Sequence, residues 1–382
     1  MEKSSMHRSQ APNWYRGLDT RTQGDYFGSL SSLYPNEVFL TADKKWIVTR
    51  SPDGSVSVTQ NVCAHAGAAL LSTPGTQHQQ ARQIVCPIHK WTYSLSGDLL
   101  GGPKFEKCKH MALSRPKFNI WKGYILGYSK EELHALEKFG ESLSLPKDFL
   151  SAENFHFEKE IVYNLPYPRP LMKINYDDGY HVASYHKDTF AAVIDDSVYD
   201  WEFGPADTNC SYSIQVVRAK TDAEIDQVLR RSKKERDALG WVNFHLWLKE
   251  VLPNVETPID SNIFAVWASI YGNGYIMPEL YEGGRFLAMS YLVTEDDDKS
   301  GIQNRNFVEF YVHKSVPDNL RAEALDKFIC AYEQSAREDD EICEILWLGH
   351  QRDDIEFQRV YHETLEAGET HYHNWFLRHF VT

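Results

Sequence analysis

Short runs that alternate hydrophobic and polar residues fill the first third of the chain. The stretches "EVFLTADKKWIVTRS" (37–51) and "SVSVTQNVC" (55–63) are rich in Val, Ile and Thr and are bounded by Asp, Gly and Pro. This pattern predicts strands separated by turns. We expect the last strand of this unit within "PKFNIWKGYILGYS" (116–129). Residues 130–160 are charged and transitional, so a boundary is predicted near residue 145.

The pattern becomes mixed beyond that boundary. "GRFLAMSYLVTED" (284–296) and "NFVEFYVHKSV" (306–316) predict strands, and the charged stretch 294–306 predicts a solvated hairpin loop. "RPLMKINYDDGYHVASYHKDTF" (169–190) is predicted to be helical around its centre. A long helix is expected from Asn319, and the C-terminal end is also expected to be helical. The apolar residues of the long helix recur at helical spacing: Leu325, Phe328, Ile329 and Tyr332.

Composition narrows the classes of protein to consider. The 382 residues are 42% hydrophobic and 13% aromatic, which is enough for a large core and about two domains. A net charge of -14 argues against binding to nucleic acid or to an anionic membrane. Neither a membrane-spanning apolar run nor a signal peptide is evident, so we expect a cytoplasmic protein. Six cysteines in a reducing compartment favour metal binding over disulfides.

Two short Cys/His pairs provide the strongest chemical signal. Cys63-x-His65 is followed, after 20 intervening residues, by Cys86-x-x-His89. Structural zinc sites usually pair like ligands, whereas each of these pairs has one cysteine and one histidine. A [2Fe-2S] cluster with two thiolates on one iron and two imidazoles on the other requires this alternation. The pattern resembles the Rieske iron-sulfur motif.

A second pair of histidines suggests a mononuclear metal centre. His181 and His186 could hold a divalent metal together with one carboxylate, as in non-heme Fe(II) oxygenases. Five residues on an ideal helix rotate the side-chain direction by about 140°, so these two cannot share one helical face. A bulge or a helix end is therefore predicted between them. Asp178 precedes His181 by three residues and could orient its imidazole.

The combined pattern resembles the catalytic subunit of Rieske non-heme iron oxygenases, a family of aromatic-ring hydroxylases and related demethylases. The family fingerprint is Glu-Asn-x-x-Asp-x-Tyr-His-x-x-x-x-His, and Ile174 stands here in place of the first Glu, so the chain resembles a divergent member. A downstream acidic motif is matched by "EDDEICE" (338–344), which implies Asp339 as the third iron ligand and Asp340 as the alternative. The residues that fit the fingerprint are Asn175, Asp178, Tyr180, His181 and His186.

The resemblance implies an α+β fold with an all-β Rieske domain and a helix-grip catalytic domain. The predicted divisions are 1–39, a segment packing on the catalytic domain, then 40–145 and 146–382. The implied cofactors are a [2Fe-2S] cluster and a mononuclear Fe(II).

The family also implies a reaction and partners. O2 and electrons from a separate NAD(P)H-dependent reductase or ferredoxin would hydroxylate, or oxidatively demethylate, a small organic substrate. In a ring of three subunits, His89 would donate a hydrogen bond to Asp178 of the neighbouring chain. Two alternatives stay open: an electron-transfer or scaffold protein without catalytic iron, and a structural zinc protein.

Overall fold

The chain folds into two compact units. One contains Gly24–His134 and Leu150–Phe157, and the other contains Ala135–Phe149 and Glu158–Thr382. The computed structural model describes residues 26–72, 75–80, 82–104, 111–197, 199–232, 239–253, 255–271, 275–297, 301–351 and 360–380.

The first unit is built from three small antiparallel sheets, apart from the short helix α1 (Lys130–Leu133). The sheets have the strand orders β4-β3-β2-β5, β6-β7-β8 and β1-β10-β9. The strands described in this unit are β1 Tyr26–Ser29, β2 Glu37–Leu40, β3 Trp46–Arg50, β4 Val56–Gln60, β5 Gly75–Gln80, β6 Ile84–Val85, β7 Thr92–Tyr93, β8 Leu99–Gly101, β9 Asn119–Trp121 and β10 Tyr124–Leu126. The strands predicted in 37–51 and 55–63 are therefore confirmed.

Strand β3 separates two hydrophobic cores. Successive residues of a strand point to opposite faces of the sheet. Ile47 accordingly packs with the core that contains Cys63 and Cys86, while its neighbour Val48 packs with Val58 in the other core. Ile47 and Val48 are both fully buried, so the unit needs apolar residues at consecutive positions here.

The segment 116–129 forms a hairpin rather than one terminal strand. Lys122 and Gly123 both have positive φ, at 49° and 85°, as a tight two-residue hairpin turn requires. A Cβ at Gly123 would also lie 2.8 Å from the Cβ of Ala152. The turn therefore needs glycine both for its backbone conformation and for its close packing.

The observed units differ from the predicted divisions. Residues 26–39, predicted to accompany the catalytic domain, belong to the first unit through β1 and β2, which pair with β10 and β3. Residues 135–149 belong to the second unit, and 150–157 return to the first. The unit to which each segment belongs is decided by backbone pairing between residues far apart in the sequence. Local composition therefore does not predict it. The predicted packing of residues 1–25 lies outside the described residues.

The second unit contains a large antiparallel sheet with the order β11-β17-β16-β15-β14-β13-β12. Its strands are β11 Phe155–Leu165, β12 Asp200–Phe203, β13 Ser211–Arg218, β14 Ile263–Tyr271, β15 Tyr275–Tyr281, β16 Phe286–Asp297 and β17 Gly301–His313. The prediction of a loop over 294–306 was too long, because the β16–β17 ladder continues to the pair Asp297 and Gly301. Polar residues continue this ladder because backbone hydrogen bonds do not require apolar side chains.

Helices pack on this sheet, and the predicted long helix is confirmed as the 33-residue α6. The helices described in the unit are α2 Arg169–Tyr176, α3 Val182–Tyr185, α4 Asp222–Arg231, α5 Gly240–Val251, α6 Asp318–His350 and α7 Ala367–Phe380. The α+β fold class and the helical C-terminal end are confirmed. Within the described ranges, none of the helices has the length and apolar character that a membrane crossing requires.

Aromatic packing holds α6 against the sheet. Phe328 is fully buried, and its ring centroid lies 5.1 Å from that of Phe286 and 5.5 Å from that of Tyr281. The Phe310 ring lies 5.7 Å away. This contact sets the position of α6, which carries the acidic segment 338–344 ten to sixteen residues later in the sequence.

Replacing Phe328 with alanine should lower the free energy of unfolding of the second unit by about 3–5 kcal/mol, because the substitution leaves a cavity in a closed aromatic core. Chemical denaturation followed by tryptophan fluorescence and circular dichroism measures this change. The control Asp326→Ala removes an exposed side chain two residues away on α6 and should change the free energy by less than about 0.5 kcal/mol. Equal effects of the two substitutions would contradict the role assigned to Phe328.

Candidate functional site

Two loops with the same backbone design carry the four Cys/His residues of the first unit. In one loop, the amide of Gly67 donates to the carbonyl of Cys63 at 3.0 Å, and Gly67 has a φ of 74°. In the other, the amide of Lys90 donates to the carbonyl of Cys86 at 3.1 Å, and Lys90 has a φ of 59°. Each cysteine is thus followed four residues later by a left-handed residue that closes the turn.

The two loops bring their side chains together. The rings of His65 and His89 lie 4.8 Å apart between centroids, at 77° to each other. Cys63 and Cys86 are only 2% and 1% exposed, and both are free cysteines. The thiols therefore lie inside the unit, while His89 is exposed and His65 is half-buried. Trp91 is buried and stacks on His65 at 4.8 Å, so it covers one side of this group.

Hydrogen-bond donors surround the two sulfurs. Burial works to raise the pKa of Cys86, but the backbone amides of His89 and Ile88 outweigh it and lower the pKa. The hydroxyl of Tyr93 accepts the amide of Ala64 at 3.1 Å and lies 3.2 Å from Cys63 Sγ, so its proton is free to bond to the sulfur. A deprotonated thiol is the form that binds metal. Two thiolates with two imidazoles fit the ligand set of a Rieske cluster.

The second site begins where α2 ends. Helix α2 stops at Tyr176, and a turn leads to Gly179, whose amide bonds to the carbonyl of Leu365 at 2.8 Å. A Cβ at Gly179 would lie 2.7 Å from the Tyr199 ring, so this position also needs glycine. The chain then enters the one-turn helix α3.

His181 and His186 flank α3 as its N-terminal and C-terminal caps. His186 has φ and ψ of -90° and 25°, so α3 ends there; the residues between the histidines are helical, and the predicted helix end lies at His186 itself. The departure from regular helix turns both imidazoles toward one point. Their Nε2 atoms lie 3.1 Å apart.

Helix α6 brings Asp339 to the same point. Asp339 Oδ1 lies 3.0 Å from His186 Nε2 and 3.5 Å from His181 Nε2. Among the described residues, these three form the one group of His, Cys, Asp or Glu whose ligand atoms are arranged to hold a single metal ion. Two bonds of about 2.1 Å at a right angle place their ligand atoms about 3.0 Å apart, so the observed spacings suit one face of an octahedral ion.

Carboxylates behind the two imidazoles support the same geometry. His181 Nδ1 lies 3.1 Å from Asp178 Oδ2, and His186 Nδ1 lies 2.7 Å from Glu338 Oε2. A carboxylate that accepts a hydrogen bond from a protonated Nδ1 leaves the Nε2 lone pair available to a metal. Both histidines therefore present the same nitrogen to Asp339.

Charges at this site are strongly coupled. Burial works to lower the pKa of His186, but the carboxylates of Asp339 and Glu338 raise it to about 10. Burial alone would raise the pKa of Asp339, yet the two histidines hold it well below its usual range. A metal cation that binds beside the anionic Asp339 would therefore displace the proton that His186 holds in its absence.

The neighbouring Asp340 points elsewhere. Its carboxylate accepts the hydroxyl of Tyr167, and burial raises its pKa to about 6. Successive residues on a helix differ in direction by about 100°, so only one of the two aspartates can face the histidines. The structure brings Asp339 to them.

Sequence reasoning missed two residues that support these ligands. Glu338 holds His186 and also accepts the hydroxyl of Thr189 at 2.5 Å. Tyr93 lies against Cys63 from a different strand. Glu338 belongs to the same acidic stretch as Asp339, and that stretch could have marked Glu338 as a candidate. Nothing in the sequence indicates which histidine Glu338 contacts. Asn175 of the fingerprint donates to Asp339 Oδ1 at 2.6 Å.

A pocket adjoins the three residues. It contains about 430 Å³ of empty space, including its opening to solvent. Asp178, His181, His186 and Asp339 line it together with aromatic residues of the sheet and of α6. A ligand in this pocket would lie beside any metal held by the triad.

Comparison with known proteins identifies the family of this chain. Residues 29–115 match the Rieske [2Fe-2S] domain family. A putrescine 2-hydroxylase from Ralstonia nicotianae is 31% identical over 337 residues, which cover 87% of this chain and 81% of the relative.

Solved structures share the whole architecture. The quaternary ammonium Rieske monooxygenase CntA superposes with a TM-score of 0.69 at 15% identity, covering 98% of this chain and 95% of that one. Naphthalene 1,2-dioxygenase from Rhodococcus sp. superposes with a TM-score of 0.62 at 13% identity, covering 95% and 90%. These similarities confirm the predicted pairing of a Rieske domain with a catalytic domain. The chain belongs to the Rieske oxygenases and is a catalytic subunit of that family of enzymes.

Proposed function

We propose that this enzyme hydroxylates a small organic substrate with O2 at a mononuclear Fe(II) held by His181, His186 and Asp339. The observation that carries the proposal is the approach of their three ligand atoms to within 3.0–3.5 Å of one another. When bound, Fe(II) with this set of ligands keeps open positions at which O2 can be activated. Residues of the chain would deliver the electrons and position the substrate.

Cys63, His65, Cys86 and His89 are the residues that we assign to the [2Fe-2S] cluster of the Rieske domain. A cluster held by these residues would supply electrons one at a time, at a reduction potential that the two imidazole ligands raise. His89 is exposed, whereas the cysteines are buried, so the histidine side is where an electron enters or leaves.

The proposed reaction balances with two external electrons. A substrate C–H bond, one O2, two electrons and two protons yield a C–OH group and one water. A separate NAD(P)H-dependent reductase or ferredoxin in the cytoplasm would supply the electrons.

Transfer between the two centres would cross a subunit interface in a homotrimer. In this proposal, His89 of one subunit donates to Asp178 of the next, and Asp178 holds His181. Asp178 Oδ1 accepts the amide of Tyr180 at 2.6 Å, which fixes the carboxylate while Oδ2 faces the imidazole. A carboxylate between two metal-bound imidazoles responds to the charge on both metals.

Similarity to a putrescine 2-hydroxylase favours hydroxylation of an aliphatic amine over demethylation or attack on an aromatic ring. That relative covers most of this chain, and its name denotes the addition of a hydroxyl group to a small diamine. We therefore infer an amine as the substrate.

Two alternatives make different predictions for metal content. An electron-transfer or scaffold protein would contain two irons per chain, whereas the proposed oxygenase contains three. A zinc protein would contain neither iron nor labile sulfide.

Asp339→Asn should lower the iron content from about three to about two per chain, with an unchanged visible spectrum of the cluster, because a neutral amide is a weak Fe(II) ligand. Iron and sulfide analysis measures the effect. Asp340→Asn is the matched control and should keep the third iron. The assignment of Asp339 is wrong if Asp340→Asn loses that iron and Asp339→Asn keeps it.

Asp178→Asn should retain three irons and lower turnover by about 10- to 100-fold or more, because the amide no longer links the two imidazoles as an anion. The assay is NAD(P)H-dependent O2 consumption with a surrogate reductase, checked by mass spectrometry of the product. Asp207→Asn, at an exposed position, should have no effect. Coupled turnover at the normal rate in Asp178→Asn would refute the bridge.

Glu338→Gln should weaken Fe(II) affinity by about 10- to 100-fold, because the amide no longer fixes His186 with its Nδ1 protonated. Competition with a chelator measures the affinity, while the cluster spectrum should stay constant. Glu341→Gln lies on the same helix and bonds to Tyr185 near the surface, so it is the control. Equal affinities of both variants and the wild type would exclude this role for Glu338.

A further inference from the structure

The pocket beside the triad has a buried carboxylate on the sheet wall. Glu279 lies on β15, is 2% exposed and lines the pocket with Phe190, Trp267, Tyr281 and Tyr332. Trp267 is its cross-strand neighbour on β14. Cross-strand neighbours project from the same face of a sheet, so Glu279 and Trp267 stand side by side in this wall.

Only hydroxyl groups hydrogen-bond to Glu279 among the described residues. Tyr281 donates to Oε2 at 2.5 Å, while Ser290 and Tyr332 both lie 3.3 Å from Oε1. All three partners are neutral. Of the residues that line the pocket in the described part of the chain, none is a lysine or an arginine.

The hydrogen-bond partners of Glu279 carry no charge, and the histidines of the lining are already paired with the carboxylates of Asp178, Glu338 and Asp339. Burial, together with the charge of Asp339, raises the pKa of Glu279 to about 8, and the nearby hydroxyls only partly offset this. Transfer of an ionised group out of water is costly unless an opposite charge accompanies it. A cation that enters the pocket would therefore bind to Glu279 and favour its ionised form.

Aromatic rings complete a site for such a cation. The rings of Phe190 and Trp267 lie 5.3 Å apart at 70°, and those of Phe190 and Tyr281 are parallel at 6.1 Å. The faces of Trp and Tyr rings attract ammonium groups. The remaining carboxylates of the lining, Asp178 and Asp339, also disfavour an anionic ligand.

We propose that Glu279 binds a protonated amino group of the substrate and thereby sets the specificity of the enzyme for small primary amines. The N–H donors of a primary ammonium match the carboxylate oxygens, and the carbon chain then extends along the aromatic wall toward the triad. Glu279 is a substrate-binding residue in this account, and the proposal rests on the proposed function of the triad. It adds the residue by which an amine is recognised.

The same sheet contains a matched control. Glu309 is 3% exposed and accepts the hydroxyl of Tyr311 two residues later, as Glu279 does from Tyr281. Glu279 pairs with Ala288, and Ala288 pairs with Phe310, so Glu309 projects from the opposite face of the sheet. Substitution of Glu309 therefore tests the loss of a buried carboxylate away from the pocket.

Binding to the anaerobic holoenzyme tests the proposal. Calorimetry would compare linear diaminobutane and butylamine with the neutral butanediol and butanol. The wild type should bind the amines at least about 10-fold more tightly than the matched alcohols. Glu279→Gln should weaken amine binding by about 10- to 100-fold and leave alcohol binding unchanged. Glu309→Gln should bind both classes like the wild type.

Iron content separates failure of this proposal from failure of the proposed function. Three irons per chain without a preference for amines, or with unchanged amine binding in Glu279→Gln, would overturn the role of Glu279 alone. Two irons per chain in the wild type would overturn the oxygenase instead. Glu279→Asp keeps the charge on a shorter side chain and should retain part of the preference. If Glu279→Gln does not fold, loss of the preference in Glu279→Asp would also count against the proposal.

Discussion

The arrangement of this enzyme depends on bringing two imidazoles and one carboxylate to a single point. His181 and His186 would diverge by about 140° on a regular helix. The chain instead makes one helical turn between them and leaves the helical conformation at His186. Helix α6 must then deliver Asp339 within 3.5 Å of both nitrogens. A rotation of α6 by one residue would present Asp340, which already bonds to Tyr167.

The packing of α6 is therefore part of the site. Phe328 inserts among the rings of Phe286, Tyr281 and Phe310 and fixes the rotation of the helix eleven residues before Asp339. Tyr167, by holding Asp340, fixes it again at the site itself. Two constraints on one rigid helix define which aspartate faces the histidines. The packing of α6 therefore contributes both to the stability of the hydrophobic core and to the geometry of the metal ligands.

The two proposed redox centres use different means to prepare their ligands. In the Rieske domain, backbone amides lower the pKa of Cys86, the Tyr93 hydroxyl lies against Cys63, and the two loops repeat one turn design. At the triad, side-chain carboxylates set the imidazole tautomers, with Asp178 behind one histidine and Glu338 behind the other. Backbone groups suit sulfur, which accepts several weak hydrogen bonds. Carboxylates suit imidazole, whose second nitrogen carries one proton.

Local pattern and motif spacing determined much of this protein from the sequence alone. The strands between residues 37 and 63, the long helix that carries the acidic segment, the two Cys/His pairs and the helix end at His186 all follow from neighbouring residues. Contacts between segments far apart in the sequence could be identified only in the tertiary structure. The choice of Asp339 over Asp340, Glu338 behind His186 and Tyr93 beside Cys63 depend on how α6 and the strands pack, as does the place of Glu279 in the pocket wall. Only the folded sheet decides that Glu279 faces the same space as the two histidines.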